Sequence, residues 1–198
     1  MANRTVTRYD RIVPEAQLKG SAYLSTLAFI DASYGATARE RVLERLDAED
    51  RAILGTSPLA IQWYPLAPFP RLLRAMDAEL GRGDLSLAIE RGTWAAIHDM
   101  RTVHRVLLKL VTAAWVVEKG MKLWPNFHTS GRWESKREGD KGARATLHDL
   151  GVVDEAMCAT LQGWMIGLLS LAGKQATVEH GECRARGAAT CVFRVSWK

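Results

Sequence analysis

The sequence predicts an α+β fold: a helical first two-thirds, followed by a small antiparallel sheet with one helix between its two hairpins. Two observations predict it. Up to Pro125 the apolar residues recur mostly at helical spacing. After Pro125 the chain becomes Gly-punctuated and alternating, as strands and hairpins are. With 198 residues, 47% of them apolar and 25% charged, the chain can bury a core without disulfide staples. Residues 1–19 are expected to form an arm or a first strand, and residues 20–198 a single domain.

Each element has its own local reason. Residues 20–35, GSAYLSTLAFIDASYG, are β-capable, and equally fit a strand running into a helix. Thr37 with Glu40 three residues later resembles a capping box for a helix over 38–54. The segment 57–70, SPLAIQWYPLAPFP, carries four prolines and is expected to be a rigid extended turn. A helix over 71–81 then stops at Gly81 or Gly83. Residues 84–98 and 101–123 read as two more helices, the second crossing the core. Trp133, Ser135 and Arg137, then Ala143, Ala145 and Leu147, predict a hairpin. Asp154 is placed to cap a helix ending near Gly173, and residues 174–187 and 188–198 read as two closing strands.

The charge balance excludes some partners. A net charge of +5 is modest, and the one basic cluster, Lys136, Arg137, Lys141 and Arg144, is interleaved with Glu134, Glu138 and Asp140. That is a solvated hairpin rather than a nucleic-acid footprint. No apolar stretch reaches the length of a membrane span, and the N-terminus has no signal-peptide core. A cytosolic location is therefore expected, with neither membrane nor nucleic acid as partner.

The three cysteines form one constellation with a histidine: Cys158-x21-His180-x2-Cys183-x7-Cys191. A hairpin turning near Gly187 brings Cys183 and Cys191 to one end of the sheet. The helix bearing Cys158 has to pack there, and a bend at Gly181 lets His180 join. Four Cys and His ligands in a closed tetrahedral set are what structural zinc requires. From spacing alone, two other readings stand beside zinc: buried thiols acting as small apolar residues, and a Cys183–Cys191 disulfide, which a reducing compartment disfavours.

The ending C-x3-G-x3-C-x-F-x-V-x-W, as Cys183, Gly187, Cys191, Phe193, Val195 and Trp197, resembles the vinyl-reductase (4-vinyl reductase) domain, also found in aromatic-responsive regulators. The resemblance implies a fold similar to TRAPP subunits and haem-NO-binding domains. It also implies a zinc site, with His180 standing where those sensors carry a carboxylate. The segments around 62–84, His104-Arg105, 123–124, 130–134 and 157–165 resemble a myxobacterial family of small proteins, which implies relatives but no chemistry.

No Gly-rich phosphate loop, nucleophile elbow or H-E-x-x-H is present, so no enzyme class is indicated. His104 lies on an apolar helical face, and Trp133 follows 29 residues later on the hairpin. As bland residues they are a core histidine and a core tryptophan. As a site they line a cavity for a small apolar or aromatic ligand, and the aromatic sensors imply that role for a comparable pair. A haem would need an axial histidine facing an apolar pocket. His104 or His128 would serve, but nothing singles either out, and haem is not expected. The sequence therefore points to a non-enzymatic sensor domain with structural zinc, signalling through a homodimer mate or a partner protein. The alternative is a TRAPP-like interaction scaffold without ligand or metal, with WYPLAPFP as its candidate patch.

Overall fold

A computed structural model describes residues 15–55, 57–100 and 112–198. Its architecture is the expected α+β, with helices first and a four-stranded antiparallel sheet last. The short strand β1 (Gln17–Lys19) pairs antiparallel with β2 (Trp63–Pro65), so part of the expected arm belongs to the folded body. Between them run α1 (Gly20–Tyr34), α2 (Ala36–Glu44) and α3 (Ala48–Gly55). After β2 come α4 (Pro68–Leu80), α5 (Ser86–Asp99) and α6 (Ala113–Gly120), the last continuing into a 3-10 turn over Met121–Asn126. The sheet is built from β3 (Arg132–Arg137), β4 (Gly142–His148), β5 (Ala176–His180) and β6 (Cys191–Trp197), with α7 (Glu155–Leu171) between its hairpins. Its strand order is β3-β4-β6-β5. No helix among the described residues is long and apolar enough to cross a membrane.

Several local expectations give way to tertiary context. Residues 20–34 form a helix, because Tyr23, Leu27, Phe29 and Ile30 all find core partners there, and a short strand would not bury them together. The next helix is not capped by Thr37. Gly35, at φ +85°, reverses the chain directly after Tyr34, and Thr37 lies already inside α2. The predicted helix over 38–54 breaks at Arg45, and Asp47 accepts the Asp50 N–H at 2.8 Å to open α3. The proline-rich segment is extended only over β2. Pro68 sits at the start of α4, where a missing N–H costs nothing. The Leu59, Ile61 and Trp63 side chains of this region are exposed, whereas Leu66 and Phe69 are buried.

Helix α7 is the centre of the molecule. Thr160, Gly163 and Gly167 share one of its faces, at spacings of three and four. A Cβ on Gly163 would collide with the Ile89 carbonyl of α5, and one on Gly92 of α5 with the Thr160 carbonyl. The two backbones are in direct contact, and Thr93 adds a hydrogen bond from its Oγ1 to the Gly163 carbonyl at 3.0 Å. Buried Arg91 ties in a third helix. Its guanidinium donates to the Ala22 carbonyl of α1 at 2.8 Å and to Thr160 Oγ1 at 3.2 Å. Burial lowers its pKa to about 10, so it stays charged at neutral pH.

Among the described histidines, His128 is the most strongly perturbed. It stacks on Trp124 with ring centroids 3.6 Å apart, and burial lowers its pKa to about 3. The folded state therefore keeps this ring neutral, while the unfolded chain protonates it below about pH 6.5.

Two outcomes follow from this packing. Gly163→Ala is expected to cost about 1–3 kcal/mol through overpacking against Ile89, read as a fall in melting temperature. Because the His128 pKa is depressed on folding, its contribution is fully present above about pH 6.5 and lost as pH falls toward 3. In urea titrations, His128→Phe is expected to flatten the acid limb of stability by up to about 1.4 kcal/mol per pH unit relative to wild type. Equal slopes in the two proteins would contradict this account.

Candidate metal centre

The closing hairpin carries two of the three cysteines, and its geometry is locally determined. His180 ends β5, and Gly181 continues the pairing by donating its N–H to the Val192 carbonyl at 2.9 Å. Cys183 opens a 3-10 turn over Arg184–Arg186, and Gly187 closes it at φ +91°. The Arg186 and Ala188 N–H groups both donate to the Cys183 carbonyl at 3.0 Å, which fixes the knuckle. Cys191 then begins β6. Cys158 lies on the first turn of α7, which Asp154 caps by accepting the Ala156 N–H at 2.8 Å. Arg184 donates to the Leu150 carbonyl at 2.6 Å, and Arg186 pairs with Glu155 at 2.8 Å. Arg186 ties the hairpin to the first residue of α7, and Arg184 ties it to the loop before that helix.

The result is a compact donor set. One Sγ from each of Cys158, Cys183 and Cys191 and one ring nitrogen of His180 all lie within 4.8 Å of one another. All three cysteines are buried and free. Cys158 and Cys191 approach to 3.5 Å between sulfurs, and the Arg184 N–H donates to Cys191 Sγ at 3.4 Å. The Cys158 hydrogen bond, the adjacent His180 ring and this backbone donor hold Cys191 below the ordinary thiol range, against the effect of burial. The same Cys158–Cys191 hydrogen bond pushes Cys158 up, with burial adding to it, and burial pushes Cys183 up. His180 Nε2 is buried without a hydrogen-bond partner. A buried polar atom left unpaired beside three sulfurs has the donor chemistry a soft divalent cation takes. The four residues expected from spacing are thus together in space.

The second expected pair is only half visible. His104 lies outside the described residues. Trp133 is half-buried on the inner face of β3, its ring 5.6 Å from Phe193 and 5.7 Å from Trp124. Its register partner on β4 is Leu147, and it reaches Phe193 diagonally, past the small Ala145 that opposes Phe193. Phe193 in turn stacks on His180 at 4.8 Å. A continuous aromatic row therefore joins Trp133 to the metal-ligand cluster. Sequence reading missed Phe193 and Trp124 as parts of this row, and only the even spacing of inward residues along β6 hinted at the first. Ser135 and Arg137 share the inner face with Trp133, yet both are exposed. The enclosed space beside the cysteines, bounded by Leu147, Leu150 and Val152, is about 10 Å³, room for one water at most.

No protein-family model matches the chain, and no curated protein matches it in sequence. Solved structures do match. An H-NOX (haem-NO/oxygen-binding) protein from S. oneidensis in its Fe(II)NO state superposes with a TM-score of 0.71 at 12% identity, covering 91% of this chain and 99% of that one. Unliganded Fe(II) H-NOX from K. algicida gives 0.67 at 13% identity, covering 91% and 97%. H-NOX from Shewanella woodyi in the Fe(II)CO state gives 0.55 at 13%, covering 89% and 93%.

Two expectations are corrected by these matches. The resemblance to vinyl-reductase domains does not hold, since the matching structures are H-NOX domains, and the myxobacterial family finds no support. The physical reason is that the Cys183–Trp197 signature describes a knuckle and one strand, which leaves the helical two-thirds unspecified. The expectation against haem is also overturned, because the matching domains are haem-binding. Histidine spacing alone did not reveal an axial ligand, since a haem pocket is assembled from distant elements. The haem-NO-binding-like α+β fold is borne out, and it is the fold that this chain shares with the H-NOX domains across nine-tenths of its length.

Proposed function

We propose that this chain is a sensor domain that binds a small gas through a haem and is clamped at its C-terminal end by a structural zinc. The observation that carries the haem reading is the match to H-NOX domains over 91% of this chain and 99% of the S. oneidensis protein. One of the solved Shewanella oneidensis forms is a histidine-to-glycine mutant. In this chain His104 is our candidate axial ligand. His128, stacked on Trp124, is the other histidine that could serve.

The described residues fit such a group in their donor chemistry. Haem brings a flat apolar ring and two carboxylates. The inner face of β3 offers Trp133 beside an exposed hydroxyl, Ser135, and an exposed guanidinium, Arg137. Trp133 would lie against the ring, and Ser135 and Arg137 would hold the carboxylates by charge-assisted hydrogen bonds. When bound, the haem supplies an iron position open to a diatomic gas. In this reading His104 and Trp133 still form the ligand pocket expected from sequence, with the haem as the group that fills it.

At the other end, Cys158, Cys183 and Cys191 would hold zinc as thiolates and His180 as a neutral imidazole. Four protein ligands leave no open position, so the role is structural. The ion would join α7 to the β5–β6 hairpin, where Arg186 already makes the same connection through Glu155. A change at Trp133 would then reach a rigid body, and a partner protein or a second copy would read it.

Two measurements test these assignments. Protein expressed with a haem supply is expected to show a Soret band that shifts on adding nitric oxide, and His104→Ala is expected to move the band or cut the haem content, as loss of the axial ligand requires. A colourless wild type, reconstituted with hemin and still colourless, would sink the haem reading. Elemental analysis is expected to find one zinc per chain. Cys183→Ser is expected to lose the ion and several kcal/mol of stability, because binding energy of a structural zinc is folding energy. A metal-free wild type with an unchanged melt for the variant would return the cysteines to the role of core residues.

A further inference from the structure

The outer edge of the sheet is a six-residue strand paired on one side only. The Glu138 N–H donates to the Gly142 carbonyl at 2.9 Å, so that opposed pair is a hydrogen-bonded one. Such pairs alternate with non-bonded pairs along an antiparallel ladder. Arg132, Glu134 and Lys136 therefore turn their main-chain groups toward β4. Those of Trp133, Ser135 and Arg137 turn outward, and among the described residues no hydrogen bond reaches them. Every β3 residue except Trp133 is exposed.

An open edge of this length is a template for strand addition, and proteins usually block it. The opposite edge is blocked here: Gln162 donates to the Val178 carbonyl at 2.7 Å, and Arg186 to the His180 carbonyl at 3.4 Å. The β3 edge has no such cover among the described residues.

We propose that the β3 edge pairs antiparallel with the β3 edge of a second copy, joining two four-stranded sheets across a twofold axis at Ser135. The charge pattern selects both the occupant and the register. Outward main-chain groups must face outward ones, which leaves three registers with substantial overlap, centred on Glu134, Ser135 or Lys136. Centred on Glu134, that carboxylate opposes itself and Arg132 opposes the partner's Lys136. Centred on Lys136, that ammonium opposes itself and Glu134 opposes the partner's Glu138. Centred on Ser135, every charged residue on the outer face meets its opposite. Arg132 faces the partner's Glu138, and Glu134 faces the partner's Lys136, each pair occurring twice. Directly opposed unlike charges stabilise a strand pair and like charges destabilise it.

The residues have capacity for this. No ion pair engages Lys136 among the described residues. Glu134 already holds Arg132 and lies 3.4 Å from His148, and Glu138 holds Arg144 at 2.8 Å, so both carboxylates are ordered at the edge. A single strand pair lies below the roughly 1,200 Å² of a standard stable interface, so association is concentration-dependent and weakened by salt. This self-association uses main-chain and outer-face groups. It stands whether or not haem or zinc is bound, so its failure leaves the sensor reading untouched.

Sedimentation equilibrium of the full chain at low salt, from micromolar to sub-millimolar concentration, tests it. The wild type is expected to dimerise. E134K and K136E each place like charges opposite one another twice, and each is expected to weaken the dimer by about tenfold or more. Mixing the two variants restores unlike pairs throughout, so the mixture is expected to form a heterodimer with wild-type affinity. The double variant E134K/K136E is expected to dimerise as well as wild type. Circular dichroism and melting confirm that each variant is folded. A wild type that stays monomeric at the highest concentration overturns the proposal, and so do single variants that dimerise as tightly as wild type.

Discussion

Helix α7 has to serve two layers at once, and the rest of the structure depends on how it does so. One face, Thr160, Gly163 and Gly167, lies against the backbone of α5 with no side chains between. Another carries Cys158 to Cys191 of β6 and Gln162 to the Val178 carbonyl of β5. Close approach on the first face lets the helix sit near enough to the sheet to engage it on the second. Glycine costs helix propensity at these positions. That cost is accepted because any larger side chain at Gly163 or Gly92 would push a carbonyl of the facing helix away.

The same close packing explains the polar groups inside. Arg91 is buried at the junction of α1, α5 and α7, and an unsatisfied guanidinium there would be expensive. It is tolerated because the Ala22 carbonyl and Thr160 hydroxyl accept from it and the Phe69 ring lies 5.4 Å away. Asp50 is buried as well, and Arg71 holds both of its oxygens, at 2.5 and 2.6 Å. Each buried charge is thus held by partners on a neighbouring helix. At the sheet end, half-buried Arg184 and exposed Arg186 bridge the hairpin to Leu150 and Glu155, before and at the start of α7.

Function, on this reading, divides between two ends of one sheet. The cysteine cluster terminates β5 and β6, while Trp133, Ser135 and Arg137 stand on the far strand. The aromatic row from His180 through Phe193 to Trp133 crosses between them over Ala145. It gives the two ends a direct packing connection, without a long loop or a hinge.

Much of this was legible in the sequence. The change from helical to alternating spacing after Pro125 fixed the class. The spacing Cys158, His180, Cys183 and Cys191 allowed these four side chains to meet, while buried thiols and a disulfide stayed open beside that reading; the assembled hairpin and helix bring them together. Alternation along β4 and β6 identified their buried faces, since side chains on a strand have a period of two. What the sequence did not carry was anything set by contacts between distant segments. Residues 20–34 are a helix because the core receives them as one, not because their propensity demands it. The start of α2 depends on Gly35 at positive φ, which no spacing reveals. Phe193 meets both His180 and Trp133 only because β6 lies between β4 and β5. Local chemistry and periodicity are properties of the chain, so the sequence determined them. Which faces meet, and therefore which residues form a site, is decided when the helices and the sheet bury their apolar surfaces against each other.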